Sequence, residues 1–190
     1  MCSSDLPRMM RIDVGSVLRY SANLPYADLV TRSTGAAVRR CIEAELAALA
    51  DDDVATLDFT AIGMMDYSCA DEVVAKLLLD LARRGARPSQ LVFLGITDAH
   101  LEAIEDVLRH HGLALVVHFA DGAARLVGAV SDDERLLWER IHVRGTCVVD
   151  DLAAECARDA ADVLTVLEAL MERQLLRREG AAFSPLGVVS

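Results

Sequence analysis

The chain predicts an α/β fold, a mainly parallel sheet with helices followed by a small helical module. Three observations carry that expectation. Short apolar runs alternate with amphipathic stretches, acidic and glycine-containing turns punctuate them, and the pattern changes near residue 130. Strands separated by helices imply parallel pairs, because a parallel connection needs a long crossover that a hairpin does not.

The elements read in order as follows. Arg11 to Tyr20 mixes Ile12, Val14, Val17 and Leu18 with polar residues and is expected as a leading strand. Ser33-Thr34-Gly35 opens a helix through about Leu49, with Val38, Ile42, Leu46 and Leu49 on one face, and the acidic run Asp51-Asp52-Asp53 ends it. Val54 to Phe59 is a compact apolar strand. The next helix runs from about Cys69 to Arg84, its buried stripe traced by Val73, Val74, Leu77, Leu78 and Leu81. Arg83 and Arg84 suit its carboxyl end, and Gly85 is a good stop. Leu91 to Ile96 is a strand, Asp98 caps a helix through His111, and Leu113 to Phe119 is another strand. Asp121 to Val130 is expected as a short closing helix.

From Ser131 onward, Asp132 to His142 is a helix carrying Leu136, Leu137, Trp138 and Ile141. Asp150 or Asp151 caps a short helix, and a longer one from Asp159 to Arg173 buries Val163, Val166, Leu167 and Leu170. Two short strands around Gly180 follow. Three helices and a small hairpin resemble a winged helix. The division expected is 1–130 and 131–190.

Composition narrows the function classes. The 190 residues are 53% apolar with a mean hydropathy of +0.29, ample for a core and against disorder. The net charge of -11 repels phosphate backbones and anionic lipids, which disfavours generic nucleic-acid binding. No window holds the 18 or more apolar residues of a membrane span, and the first eleven residues lack the basic end and apolar core of a signal peptide. Five cysteines (Cys2, Cys41, Cys69, Cys147, Cys156) without CxxC spacing do not suggest a disulfide framework or zinc site. The expectation is a cytoplasmic protein without membrane attachment.

The stretch Leu57-Asp-Phe-Thr-Ala-Ile-Gly-Met-Met-Asp-Tyr-Ser68 is the most informative in the chain. It is similar to the STAS domain of anti-sigma-factor antagonists, where a strand leads to a "DSSG" turn and a helix. That resemblance implies a signalling module that binds a protein partner, with Ser68 at the position phosphorylated by a partner kinase. Asp66 matches the motif aspartate, Tyr67 replaces the first serine and Cys69 replaces the glycine. The segment Ser68-Cys-Ala-Asp-Glu-Val-Val-Ala-Lys-Leu77 and the upstream Thr31-Arg-Ser-Thr-Gly35 more closely resemble a STAS-like family of uncharacterised bacterial proteins, often found near histidine-kinase-type ATPases. The resemblance covers roughly residues 25 to 125 and implies a histidine-kinase-type ATPase or anti-sigma factor as partner. The expected partner face is Asp66, Tyr67, Ser68, Cys69, Asp71 and Glu72. Ser68 is also expected as a helix cap, since Ser68-Cys-Ala-Asp71 is a capping-box-like pattern worth about 1 kcal/mol.

Chemistry elsewhere is sparse. There is no GxxxxGK[ST], GxGxxG, GxSxG or HExxH, so no catalytic residue, cofactor or metal site is expected, and a non-enzyme is. Cys69 at a helix start, where thiol pKa values fall, leaves a thiol-sensor reading open. The histidine pair His110-His111 is expected to compensate a helix end, and His118 and His142 to serve core or capping roles, while His100 lies ten residues from His110, too far along one helix to share a metal without other ligands. A winged helix suggests DNA, yet residues 131–190 carry seven basic against twelve acidic residues. Arg173, Arg177 and Arg178 are the candidate DNA contacts, and a transcription regulator is the alternative function. A homodimer stays open.

Overall fold

The computed structural model of the chain describes residues 8–22, 27–49, 53–84 and 90–186. Cys2 and the rest of the amino-terminal segment, Asp51, Asp52 and Gly85 lie outside the described residues. The α/β class is as expected: a five-stranded, mostly parallel sheet with helices, and a second, three-stranded antiparallel sheet.

The leading strand is shorter than expected. Met9–Asp13 form β1, and Val14–Ala22 turn at once into α1. Asp13 is the cause, its carboxylate accepting hydrogen bonds from the N–H of Ser16 at 3.2 Å and its hydroxyl at 2.7 Å. That caps the first turn. Val14, Val17 and Leu18 then fall on one buried helical stripe rather than on a strand face.

Helix α2 (Arg32–Leu46) leads to β2 (Val54–Asp58). A longer helical run follows as α3 (Tyr67–Ala70), a π-helical turn (Asp71–Lys76) and α4 (Leu77–Arg84). Then come β3 (Gln90–Ile96), α5 (Asp98–His110), β4 (Ala114–Phe119) and β5 (Ala124–Gly128). The expected closing helix at 121–130 is therefore strand β5, paired antiparallel with β4. Asp121-Gly122 makes a tight turn: Gly122 has φ +87°, and the Asp121 carboxylate accepts from Ala123 N–H at 2.9 Å. A hairpin forms because that turn reverses the chain before a helix can start.

The strand order is β1-β2-β3-β4-β5, and the first four strands are mutually parallel. An order that never reverses, crossed by right-handed connections, sends every crossover helix to the same face of the sheet. The core agrees. Ile12, Leu57, Phe93, Leu115, Val117 and Val127 pack in one cluster with Val38, Ile42, Val73, Leu77 and Ile104 of the helices. The other face of β4 and β5 is left to the remainder of the chain. Val116 and Leu126, paired across the hairpin, belong to a second cluster with Leu137, Trp138 and Ile141.

That remainder is α6 (Asp132–Arg144), β6 (Cys147–Val148), α7 (Val149–Cys156), α8 (Ala160–Glu172), β7 (Leu176–Glu179) and β8 (Ala182–Pro185). Its sheet runs β6-β8-β7. Ser131 and Glu134 form a reciprocal capping box at the start of α6, at 3.2 and 2.7 Å. Asp159 caps α8 through Ala161 N–H at 2.8 Å, whereas α7 starts at Val149 without a side-chain cap from Asp150 or Asp151. Trp138 is fully buried and donates its indole N–H to the Leu175 carbonyl at 3.2 Å, tying α6 to the approach of β7. No described helix is long and apolar enough to cross a membrane.

Adjacent residues of β5 thus serve different cores. Leu126→Ala should cost about 2–5 kcal/mol and speed amide exchange in α6 while sparing α5. Val127→Ala should loosen α5 and spare α6. Urea unfolding with peptide-level hydrogen exchange checks both; matching exchange patterns in the two variants would contradict the assigned register.

Candidate functional site

The strand–helix turn is built on a short parallel ladder after β2. Gly63 N–H donates to Ala27 O at 3.0 Å, Leu29 N–H to Met64 O at 2.8 Å, and Asp66 N–H to Leu29 O at 2.9 Å. Extended backbone alternates its side chains. Leu29 and Met65 accordingly enter the core, while Val30 and Met64 point outward, 38% and 60% exposed. Tyr67, one residue into the helix, is 44% exposed. Of the seven large apolar side chains exposed among the described residues, three belong to this ladder and turn.

Asp66, not Ser68, is the helix cap. Its backbone is extended (φ -84°, ψ 167°), and its carboxylate accepts from Cys69 N–H at 2.8 Å. Ser68 lies inside the first turn and donates its hydroxyl to the same Asp66 oxygen at 2.9 Å. The expectation fails because a cap must sit where the backbone is still extended, and the ladder to Leu29 ends at Asp66.

Of the six residues expected at a partner face, only Asp66, Tyr67 and Ser68 reach solvent. Cys69 is fully buried, and Asp71 and Glu72 are 7% and 4% exposed. The thiol of Cys69 donates to Thr31 O at 2.9 Å. Burial, with the Asp66 carboxylate, pushes its pKa up to about 11. Desolvation thus outweighs the helix end that was expected to lower it, and a reactive thiolate is not available there.

Asp71 and Glu72 are the centre of an ionic cluster. Arg32 Nη1 donates to Asp71 Oδ2 at 2.7 Å and to Glu72 Oε1 at 3.1 Å. Lys76 pairs with Glu72 and lies 3.4 Å from Asp71. His111 donates its Nε2–H to Asp71 Oδ1 at 2.8 Å, so this histidine does more than compensate a helix end. Arg39 gives Nε to Glu72 at 3.3 Å and Nη1 to Glu43 and Asp80, each at 2.6 Å. Burial raises the pKa of Asp71, but hydrogen bonds from Arg32 and His111 and the charge of Lys76 outweigh it and bring it to about 2. Glu72 is lowered for like reasons, with Lys76 and Arg32 overcoming its burial.

The two sequence segments that carry the resemblance are the two halves of this contact. Thr31 caps α2, its hydroxyl accepting from Thr34 N–H at 3.3 Å, and Arg32 follows it into the cluster. Gly35 is needed for close approach: a Cβ there would lie 3.1 Å from both Cys69 Cα and Glu72 Cβ. A second positioning residue escaped the sequence reading. His100, wholly buried, accepts from Thr97 N–H at 3.3 Å and donates its Nε2–H to Gly63 O at 3.0 Å. It fastens the start of α5 to the loop that carries Met64. A histidine at the third position of a helix was the only available signal.

The three candidate DNA contacts do not act together. Arg173 donates to Glu134 at 2.7 Å and to Ala129 O at 2.6 Å, turned toward the segment before α6. Arg178 donates to Gly180 O at 3.0 Å and lies over the Phe183 ring, and Arg177 is 3.8 Å from Glu179. The exposed positions of α8 include Asp162, Glu168 and Glu172. No group of three or more metal-ligating side chains is present among the described residues.

Asp71 is held below its ordinary 3.8, so its stabilisation is complete above that value and is lost as pH falls toward about 2. Relative to Asp71→Asn, wild type should therefore lose about 2 kcal/mol of its advantage between pH 4 and pH 2, measured by urea unfolding; a constant difference would contradict the ion-pair geometry. Gly35→Ala should cost about 1–3 kcal/mol, and adding Cys69→Ala should not restore it, because the clash is partly with backbone. No family model matches the chain, and no curated protein matches it either, so the reading of this site rests on its residues and geometry.

Proposed function

We propose that this chain is a bacterial signalling protein, not an enzyme, that acts in the cytoplasm by binding a protein partner at the Asp66 turn of a STAS-like unit. The observation that carries the reading is the exposure of Val30, Met64 and Tyr67 along that ladder and turn, beside the half-buried Ser68. Apolar side chains held outward by a hydrogen-bonded ladder are preorganised, so a partner gains their burial without ordering a loop. The ionic cluster beneath supports the surface and takes no part in it. The STAS-like resemblance of Thr31–Gly35 and Ser68–Leu77 suggests a histidine-kinase-type ATPase or anti-sigma factor as the partner.

Ser68 supplies the switch in this reading. Its hydroxyl proton is given to the Asp66 carboxylate that caps the helix. A phosphate there replaces a donor with a dianion next to Asp66, so the cap and the phosphate repel each other. The turn then changes shape at the place where the partner docks.

The carboxyl-terminal unit is read as a winged-helix-like module, supported by its order of helix, strand, two helices and hairpin with a β6-β8-β7 sheet. Its acidic α8 and the internal engagement of Arg173 favour a role other than DNA binding.

Met64→Asp and Tyr67→Asp should each reduce partner retention at least tenfold in affinity capture from the host, with the partner identified by mass spectrometry. Val143→Asp, on the exposed side of α6, should leave it unchanged. Ser68→Asp should also weaken it. Equal retention by all four variants would remove the turn from the binding surface.

A further inference from the structure

We propose that the seam between the five-stranded sheet and helix α6 is an acid-sensitive latch, closed while His118 is neutral against the His142 ring and released when His118 takes up a proton. Strand alternation puts His118 on the same face of β4 as Val116, the face that packs on the second core. Across the seam, α6 brings Trp138 and His142, whose rings stack with centroids 4.9 Å apart and planes within 7°. Among the described residues, the buried side-chain polar atoms without a hydrogen-bond partner are His118 Nε2 and His142 Nδ1. Both are imidazole nitrogens, and the charge of one ring acts on the other.

Among the described residues, neither nitrogen has an ionisable group as a hydrogen-bond partner. Opposite His118, β3 presents Leu94 and β5 presents Ala124. The neighbouring Arg125 lies over Phe119, 5.1 Å from the ring centroid. Asp121 in the hairpin turn is spent on Ala123 N–H. From α6, Arg135 donates to Leu126 O at 2.7 Å, and Glu139 faces solvent. An imidazolium at His118 would need an acceptor, and none of the described groups facing it supplies one. Burial, with the charge of His142 as the second cause, pulls the His118 pKa down from 6.5 to about 4.

The sign follows directly. A histidine lowered in the closed state stabilises closure fully above about 6.5, and that stabilisation is lost as pH falls toward about 4. Through that window the opening constant rises by up to about tenfold per pH unit for His118 alone. In the first core, Asp71 keeps its charge until well below pH 4. Release therefore uncovers Val116, Leu126 and Trp138 while the first core stays folded.

Trp138 is the single tryptophan of the chain and is buried, so it reports the seam without a label. The experiment follows its emission maximum in the full chain from pH 7.5 to 4.5, with hydrogen exchange of peptides covering 132–144 and 98–110. The expected result is a red shift and at least tenfold faster exchange in 132–144, with 98–110 still protected. His118→Leu and His118→Gln, which cannot titrate there, should both suppress the transition; should one fail to fold, the other is read alone. No shift in wild type, an unchanged transition in the folded variants, or simultaneous loss of protection in both peptides would each overturn the latch.

Discussion

Two carboxylates sit side by side in the middle of one helix, and residues of that helix and two others are arranged to keep them charged. Asp71 and Glu72 are almost wholly out of water, where an unpaired charge costs several kcal/mol. Arg32 and Arg39 come from α2, Lys76 from the same helical run and His111 from the end of α5. Such a cluster adds little net stability over an apolar core of the same volume, but it discriminates strongly against wrong arrangements. A slip of α2 by one turn, 5.4 Å, would take Arg32 and Arg39 away from both carboxylates and drive Gly35 away from Cys69. The π-helical turn belongs to the same arrangement, since it spans Asp71 to Lys76 and presents both acids and the lysine to one side. Extra residues of this kind inside a helix recur where side chains must be re-aimed.

With α2, α3 and α5 locked together, the surface above them is rigid without being packed. Leu29 and Met65 are held inward, so Val30 and Met64 have to face out. His100 does for the α5 side what Arg32 does for the α2 side. The Asp66 turn is thus clamped from two directions, and the one soft point in it is the Ser68 hydroxyl shared with Asp66. A modification there acts on a cap rather than on a core, so it can change the surface without unfolding the domain.

The second consequence is architectural. A strand order that never reverses leaves one sheet face bare of its own helices, and α6 covers the β4–β5 part of it. This face is where the two parts of the chain pack on each other. It is closed by apolar packing and the hydrogen bond from Arg135 to Leu126 O, with the histidine pair as its polar flaw.

Much of the fold was legible in the residues. The stripes through Val38–Ile42–Leu46 and Val73–Val74–Leu77–Leu81, the apolar strands and the pattern change near residue 130 follow from periodicity alone. Two elements were misread where local signals compete. Val14–Val17–Leu18 fits a helix or a strand until Asp13 caps it, and Asp121-Gly122 fits a helix start or a hairpin until β4 supplies a partner strand. The turn was located from sequence, but its chemistry was not. Asp66 and Ser68 are both good caps, and only the ladder to Leu29 decides between them. Asp71 and Glu72 read as surface acids because their partner Arg32 lies some forty residues away in the chain. Residue order determines which stretches are amphipathic and where turns can form, because those depend on neighbours a few positions apart. Burial, charge pairing and the meeting of His118 with His142 depend on distant segments brought together, and tertiary packing alone decided them.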